Sequence, residues 1–317
     1  MAAAALSWRV AAGIGLLASW LGAVHAGTLS AAARHTLTDY CSRTPTLTAT
    51  QQDRILRFAD VARRELETAG RPLAIVSRSG LDLRRFGQRY SHAGISLADG
   101  AGLRWAVRQL YYACEEGRPR LYDQGLAGFA LGTDDPDIGY LSLVLLPPGT
   151  ALEALRAAAA DEMRALSLLG GRYSANAYAF GTRYQNCNQW LAELLGSAWA
   201  GVGDVAADKP PRERARDALR QLGYVPQPLA AGSPLVLALA RWAPLIHLDD
   251  HPEEDLRALT LQVSMPASIE AFVRRRLPDS ERIELCHADG RIVVRRGWTA
   301  LPDGCRPAAG DELIELD

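Results

Sequence analysis

Gly181-Thr-Arg-Tyr-Gln-Asn-Cys-Asn-Gln-Trp-Leu-Ala-Glu-Leu-Leu195 runs from a polar loop into an apolar-periodic helix, with one cysteine, Cys187, at the join. Asn186 is a good N-cap and Gln189 stands in the capping-box position, while Trp190, Leu191, Leu194, Leu195 and Ala198 recur as one buried helical stripe. Cys187 therefore falls in the first turn. There, free backbone N–H groups and the positive end of the helix dipole favour a thiolate over a thiol. A small, inert core cysteine is the other reading of the same residue.

The chain has 317 residues, 48% of them apolar and with a formal net charge of −1, enough for one large domain or two small ones with a sizeable core. Balanced charge argues against nucleic acid or an anionic membrane surface as the main partner. Arg9 followed by the apolar run from Val10 to Val24 reads as a secretory signal cleaved after Ala26, so residues 1–26 are set apart from the fold and the mature protein is expected in the periplasm or outside the cell. The run is shorter than the ~20 residues a bilayer span needs. No later segment is long and apolar enough to span a membrane; the best candidate, Pro234 to Ile246, is short and carries Arg241. The five cysteines are an odd number in an oxidising compartment. Cys286 with Cys305, and Cys41 with Cys114, are the expected pairs, leaving Cys187 free; a different pairing, or reduced cysteines throughout, is the alternative.

Taken in order, residues 27–72 form an N-terminal helical region, chiefly a helix from Asp53 to Ala69. Strands follow at Leu73 to Ser79, Tyr90 to Leu97, Gly102 to Tyr112 and Gly139 to Leu146. Period two places Gln109 as the lone polar side chain on a face with Trp105, Val107 and Tyr111, so it needs a hydrogen-bond partner. One helix is expected from Thr150 to Leu168, then the Cys187 helix, then a surface helix from Arg212 to Leu222. Pro226 to Pro234 reads as a linker. Residues 226–317 form a C-terminal elaboration: a strand near Leu259 to Ser264, a helix from Ala267 to Arg276, and a hairpin about Asp289-Gly290.

A cysteine nucleophile needs a base, and the base an orienting group. His92 is the candidate base and Gln109, on the next strand, the group that holds its tautomer; a structural histidine and a structural amide are the plainer alternatives. His247, Asp249, Asp250 and His251 are a possible metal set, but Pro252 suggests a turn, and capping or ion pairing is the favoured role. No metal or other cofactor is expected.

The order of Ser91-His92-Ala93-Gly94-Ile95, a further strand with a polar residue, and Asn186-Cys187 opening a helix resembles the circularly permuted papain-like (NlpC/P60-type) proteins. Arg89-Tyr-Ser-His-Ala-Gly94, Leu121-Tyr-Asp-Gln-Gly125, Asn186-Cys-Asn-Gln-Trp190 and His247-Leu-Asp-Asp-His251 resemble an uncharacterised bacterial family, domain of unknown function 2145. The resemblance implies an α+β fold, with a permuted papain-like core over residues 73–225 whose antiparallel sheet packs on helices. It also implies a thiol hydrolase or acyltransferase acting on an amide or ester of a cell-wall peptide, lipoprotein or lipid. Cys187 would attack, His92 would take the proton and Gln109 would orient it, with Gln185, Asn186 and Ser91 near the oxyanion or substrate. Gln109 departs from the histidine or acid of many relatives. A non-catalytic binding module on the same scaffold is the alternative, and a metal protein using the His247 cluster a lesser one.

Overall fold

The computed structural model describes residues 47–99, 102, 104–200 and 208–316. The expected signal segment and Cys41 lie outside the described residues. The fold is α+β, built on one large antiparallel sheet covered by helices on both faces.

Thr48 caps the first helix, α1 (Ala49–Ala69), through a full capping box with Gln51, and Gly70, at φ 63°, ends it. The chain turns into β1 (Leu73–Arg78), the innermost apolar strand. Then come β2 (His92–Leu97), β3 (Ala106–Ala113), β4 (Arg118–Gln124) and β5 (Gly139–Leu145), with a short helix, α2 (Leu126–Ala130), between the last two. Late in the chain β8 (Glu281–Ala288), β9 (Arg291–Arg296) and β10 (Glu312–Glu315) complete a sheet of order β10-β9-β8-β5-β1-β2-β3-β4. β5 and β8 pair in seven consecutive registers, Gly139 with His287 through Leu145 with Glu281. The expected C-terminal elaboration thus shares a sheet with the expected core.

β1 is buried on both faces, and its alternation sorts the molecule into layers. Leu73 and Ile75 face a cluster built from α3 (Thr150–Ala160), α5 (Cys187–Trp199), α6 (Pro211–Gln221) and α9 (Pro266–Arg276). Ala74 and Val76 face α1 and α2. A second, two-stranded sheet pairs β6 (Gln227–Ala230) with β7 (Thr260–Val263), flanking α7 (Pro234–Ala240) and α8 (Glu253–Arg257).

Several expectations change in detail. The single helix from Thr150 breaks at Asp161, whose carboxylate caps α4 (Glu162–Ser167) by accepting from Arg164 N at 3.0 Å. The expected linker from Pro226 contains β6. β4, with Pro119 and three charged side chains, gives no strand signal; it is an edge strand made by seven registers with β3. The hairpin about Asp289-Gly290 and the Cys286–Cys305 disulfide stand as expected. Cys114 is disulfide-bonded, and its expected partner is outside the described residues.

Candidate functional site

Asn186 caps α5 as its sequence suggests, its Oδ1 accepting from Gln189 N at 2.6 Å. That puts Cys187, the free cysteine among the described residues, at the first position of the helix and buried. The start of the helix is pinned to the start of β2, because Asn188 Nδ2 donates to Ser91 O at 3.1 Å. Almost the whole of α5 is buried, so the thiol sits on a fixed element rather than a loop.

His92 opens β2, and its Nε2 lies 2.6 Å from Gln109 Oε1. A carbonyl oxygen only accepts, so Nε2 holds the proton and Nδ1 keeps its lone pair. The buried polar residue on the β3 face therefore finds its partner in His92, while its own Nε2 stays buried without one. Gly94 makes this possible: a Cβ there would lie 2.7 Å from Val107 Cγ1 and 3.2 Å from Gln109 Cβ.

Cys187 and His92 leave the sheet on different faces. Ala93 and Ile95 pack with Cys187 and α5. His92 turns the other way, its ring 5.0 Å from Tyr111 and 5.8 Å from Phe129. Both line a cavity of about 1250 Å³, which takes Arg78, His92 and Tyr111 from one face and Leu110, Tyr112, Tyr173 and Cys187 from the other.

Arg78 is the functional candidate that sequence reasoning passed over. It is the last residue of β1, paired in register with His92, and buried. Its Nη1 donates to Ser79 O and Gly132 O and its Nη2 to Tyr111 Oη at 2.8 Å, while Nε is buried without a partner. Glycines make room for it, since a Cβ would meet the guanidinium at 2.6 Å from Gly80 and 2.5 Å from Gly132. Among the described residues no carboxylate pairs with it. The available signal was a charged residue closing an otherwise apolar buried strand, which normally marks a solvent-facing end.

Burial dominates the electrostatics. It pushes the Cys187 thiol up to about 11, against the Arg78 charge, the backbone N–H groups of Asn188 and Cys187 and the Tyr173 hydroxyl, all of which favour the thiolate. Burial, then Arg78, brings His92 down to about 3, with Gln109 opposing. Burial thus favours a neutral thiol and a neutral imidazole, desolvation of Cys187 outweighing the helix dipole that favours the thiolate.

Ser91 lines the cavity, its Oγ accepting from Leu81 N. Asn186 is spent on capping and on the carbonyls of Ala175 and Ser264. Gln185 is fully committed elsewhere: its Oε1 accepts from Gly170 N, and its Nε2 donates to Leu168 O and to Glu193 Oε2 at 2.6 Å. Asn188, not singled out in the sequence, lines the cavity with a buried, unpartnered Oδ1. In the His247 cluster each side chain is engaged in structure. His247 stacks on Tyr184 at 4.3 Å, Asp249 pairs with Arg183, Asp250 accepts from Tyr178 N, and His251 Nε2 lies 2.7 Å from Asn176 O.

The class defined is an α+β protein with a free cysteine, an oriented histidine and a buried arginine around one large cavity. A family model described as an uncharacterized protein conserved in bacteria (DUF2145) matches residues 65–273, and the chain belongs to that family. No curated protein and no solved structure matches it. No helix among the described residues is long and apolar enough to cross a membrane.

Proposed function

We propose that this protein is a periplasmic or secreted thiol-dependent hydrolase or acyltransferase, acting on an amide or ester bond with Cys187 as nucleophile. What supports the reading is one arrangement: a free thiol at a helix N-terminus lines the same cavity as an imidazole whose proton is fixed on Nε2 by Gln109. Its resemblance to the permuted papain-like (NlpC/P60-type) proteins in order of elements is the second support.

Since both groups rest neutral, the chemistry is general-base catalysis rather than attack by a standing thiolate. The sulfur bonds to the carbonyl carbon as its proton passes to His92 Nδ1, and the carbonyl electron pair moves onto oxygen. Backbone N–H of Cys187 and Asn188 and the Arg78 guanidinium face the charge that develops. Collapse breaks the C–N or C–O bond, and the leaving amine or alcohol takes the proton from His92. Water, or an acceptor amine or alcohol, then cleaves the thioester and regenerates the thiol.

A binding module without chemistry is the second reading, favoured by the opposite faces from which Cys187 and His92 emerge. An acyl-donor panel with mass detection of the S-acyl intermediate separates the two. Native protein acylated on Cys187, with turnover falling at least ~10²-fold in Cys187→Ala and His92→Ala, supports catalysis. Unmodified Cys187 across the panel overturns it.

A further inference from the structure

The cavity beside Cys187 is larger than the ~300–1,000 Å³ of ordinary small-molecule sites, and much of its wall is aliphatic. Leu229, Val236, Leu237, Leu239, Ile246 and Leu261 form the side contributed by β6, β7 and the α7 segment. No residue of α7 is buried. Among the described residues, four exposed large apolar side chains, Leu81, Tyr122, Val236 and Leu239, line this one cavity. Isolated exposed apolar residues are ordinary, but a contiguous set on one cavity marks a binding surface.

The charge is arranged to match. The acidic cavity residues Glu115, Glu116 and Asp134 are exposed, and Glu116 is already held by Arg118 and Arg120. The buried charge is that of Arg78, with an unpartnered Nε and no carboxylate partner among the described residues. An uncompensated buried cation is costly unless an anion joins it.

We propose that the cavity binds a long-chain acyl group, its carboxyl end at Arg78 beside Cys187 and its alkyl chain along the aliphatic wall of α7 and β6. The proposal deepens the thiol-transfer reading by naming its substrate class, and binding alone tests it. Tail burial accounts for affinity, and Arg78 for the preference for a carboxylate or a developing oxyanion.

The probes are cis-parinaric acid and its methyl ester, titrated by fluorescence against the purified mature protein and Cys187→Ala, with saturated fatty acids of increasing length as competitors. Both proteins should bind the acid at least ~10-fold more tightly than the ester, and affinity should rise about three- to fourfold per added methylene until the cavity is filled. Leu239→Asp, at a half-exposed position, should weaken binding at least ~10-fold with folding intact. Arg78→Gln should erase the acid preference and leave the ester unchanged; where that variant does not fold, the acid-to-ester ratio of the native protein carries the test. Equal binding of acid and ester, or no dependence on chain length, overturns the proposal. Cys187-dependent turnover confined to short acyl donors also overturns it while sparing the hydrolase reading. Chain-length-dependent binding with Cys187 inert to every acyl donor sinks the hydrolase reading and sustains the acyl site.

Discussion

At the scale of single residues, the chemistry turns on the depth at which Cys187, His92 and Gln109 are buried. Helix position is a property of local sequence, and so the N-cap and the place of the thiol were legible. Burial depends on what other elements bring to the same spot, and Tyr173, Arg78 and the sheet end arrive from distant parts of the chain. Gln185, beside Cys187 in sequence, was drawn off by Glu193, which sits inside α5 and accepts from Arg212 as well. With the thiol held up to about 11 by burial, its alkylation by iodoacetamide should be slow at neutral pH and climb about tenfold per pH unit toward that value. Arg78→Gln removes the largest thiolate-favouring influence and should slow alkylation at every pH below the new midpoint. A fast reaction at pH 7, with an ordinary or depressed midpoint, would contradict the neutral resting state. His92, brought down to about 3, is already neutral at pH 5, so the activity profile should lack an acid limb near the usual histidine value of ~6.5.

At the scale of elements, long periodic segments were legible and marginal ones were not. α1, β1, β2, β5 and the β8–β9 hairpin follow their hydrophobic patterns closely. β4 and β6 owe their extended form to a partner strand, because Pro119 and Pro228 argue against strands in isolation. Helix crossings were likewise invisible, that of α5 on α6 among them. Gly196 faces α6 so tightly that a Cβ would lie 2.3 Å from Ala215 O and 2.8 Å from Leu219 Cγ. Gly196→Ala should therefore force the helices apart and destabilise the protein by ~1–3 kcal/mol, despite alanine's better helix propensity. The check is a urea midpoint lowered at unchanged slope. A midpoint equal to or above the native one would mean that α6 shifts freely, and that Cys187 rests on a less rigid platform than proposed.

At the scale of the whole molecule, the C-terminal strands belong to the same sheet as the site, and acid stability is where that unity can be read. His287 of β8 lies against Phe58 of α1, ring centroids 4.7 Å apart, and faces Gly139, whose Cβ would come within 2.6 Å of its Nε2. Burial brings His287 down to about 4, with Asp135 and Asp137 opposing, and brings His92 to about 3. Both rings stay neutral in the fold down to those values, whereas in the unfolded chain they take up protons from ~6.5 downward. Between these limits the unfolded state binds more protons, so stability falls as pH falls. The contribution is complete above ~6.5 and is lost progressively toward about 4 for His287 and about 3 for His92. Burial also raises Glu193 and Glu270, which pull the other way as pH falls. The clean observable is therefore a difference: His287→Gln and His92→Gln should each flatten the fall in urea-derived stability between pH 6.5 and 4 relative to native. Parallel curves for native and both variants would mean that these rings meet water in the native state, and the packing of His287 on Phe58 and of His92 on Tyr111 and Phe129 would no longer account for their burial.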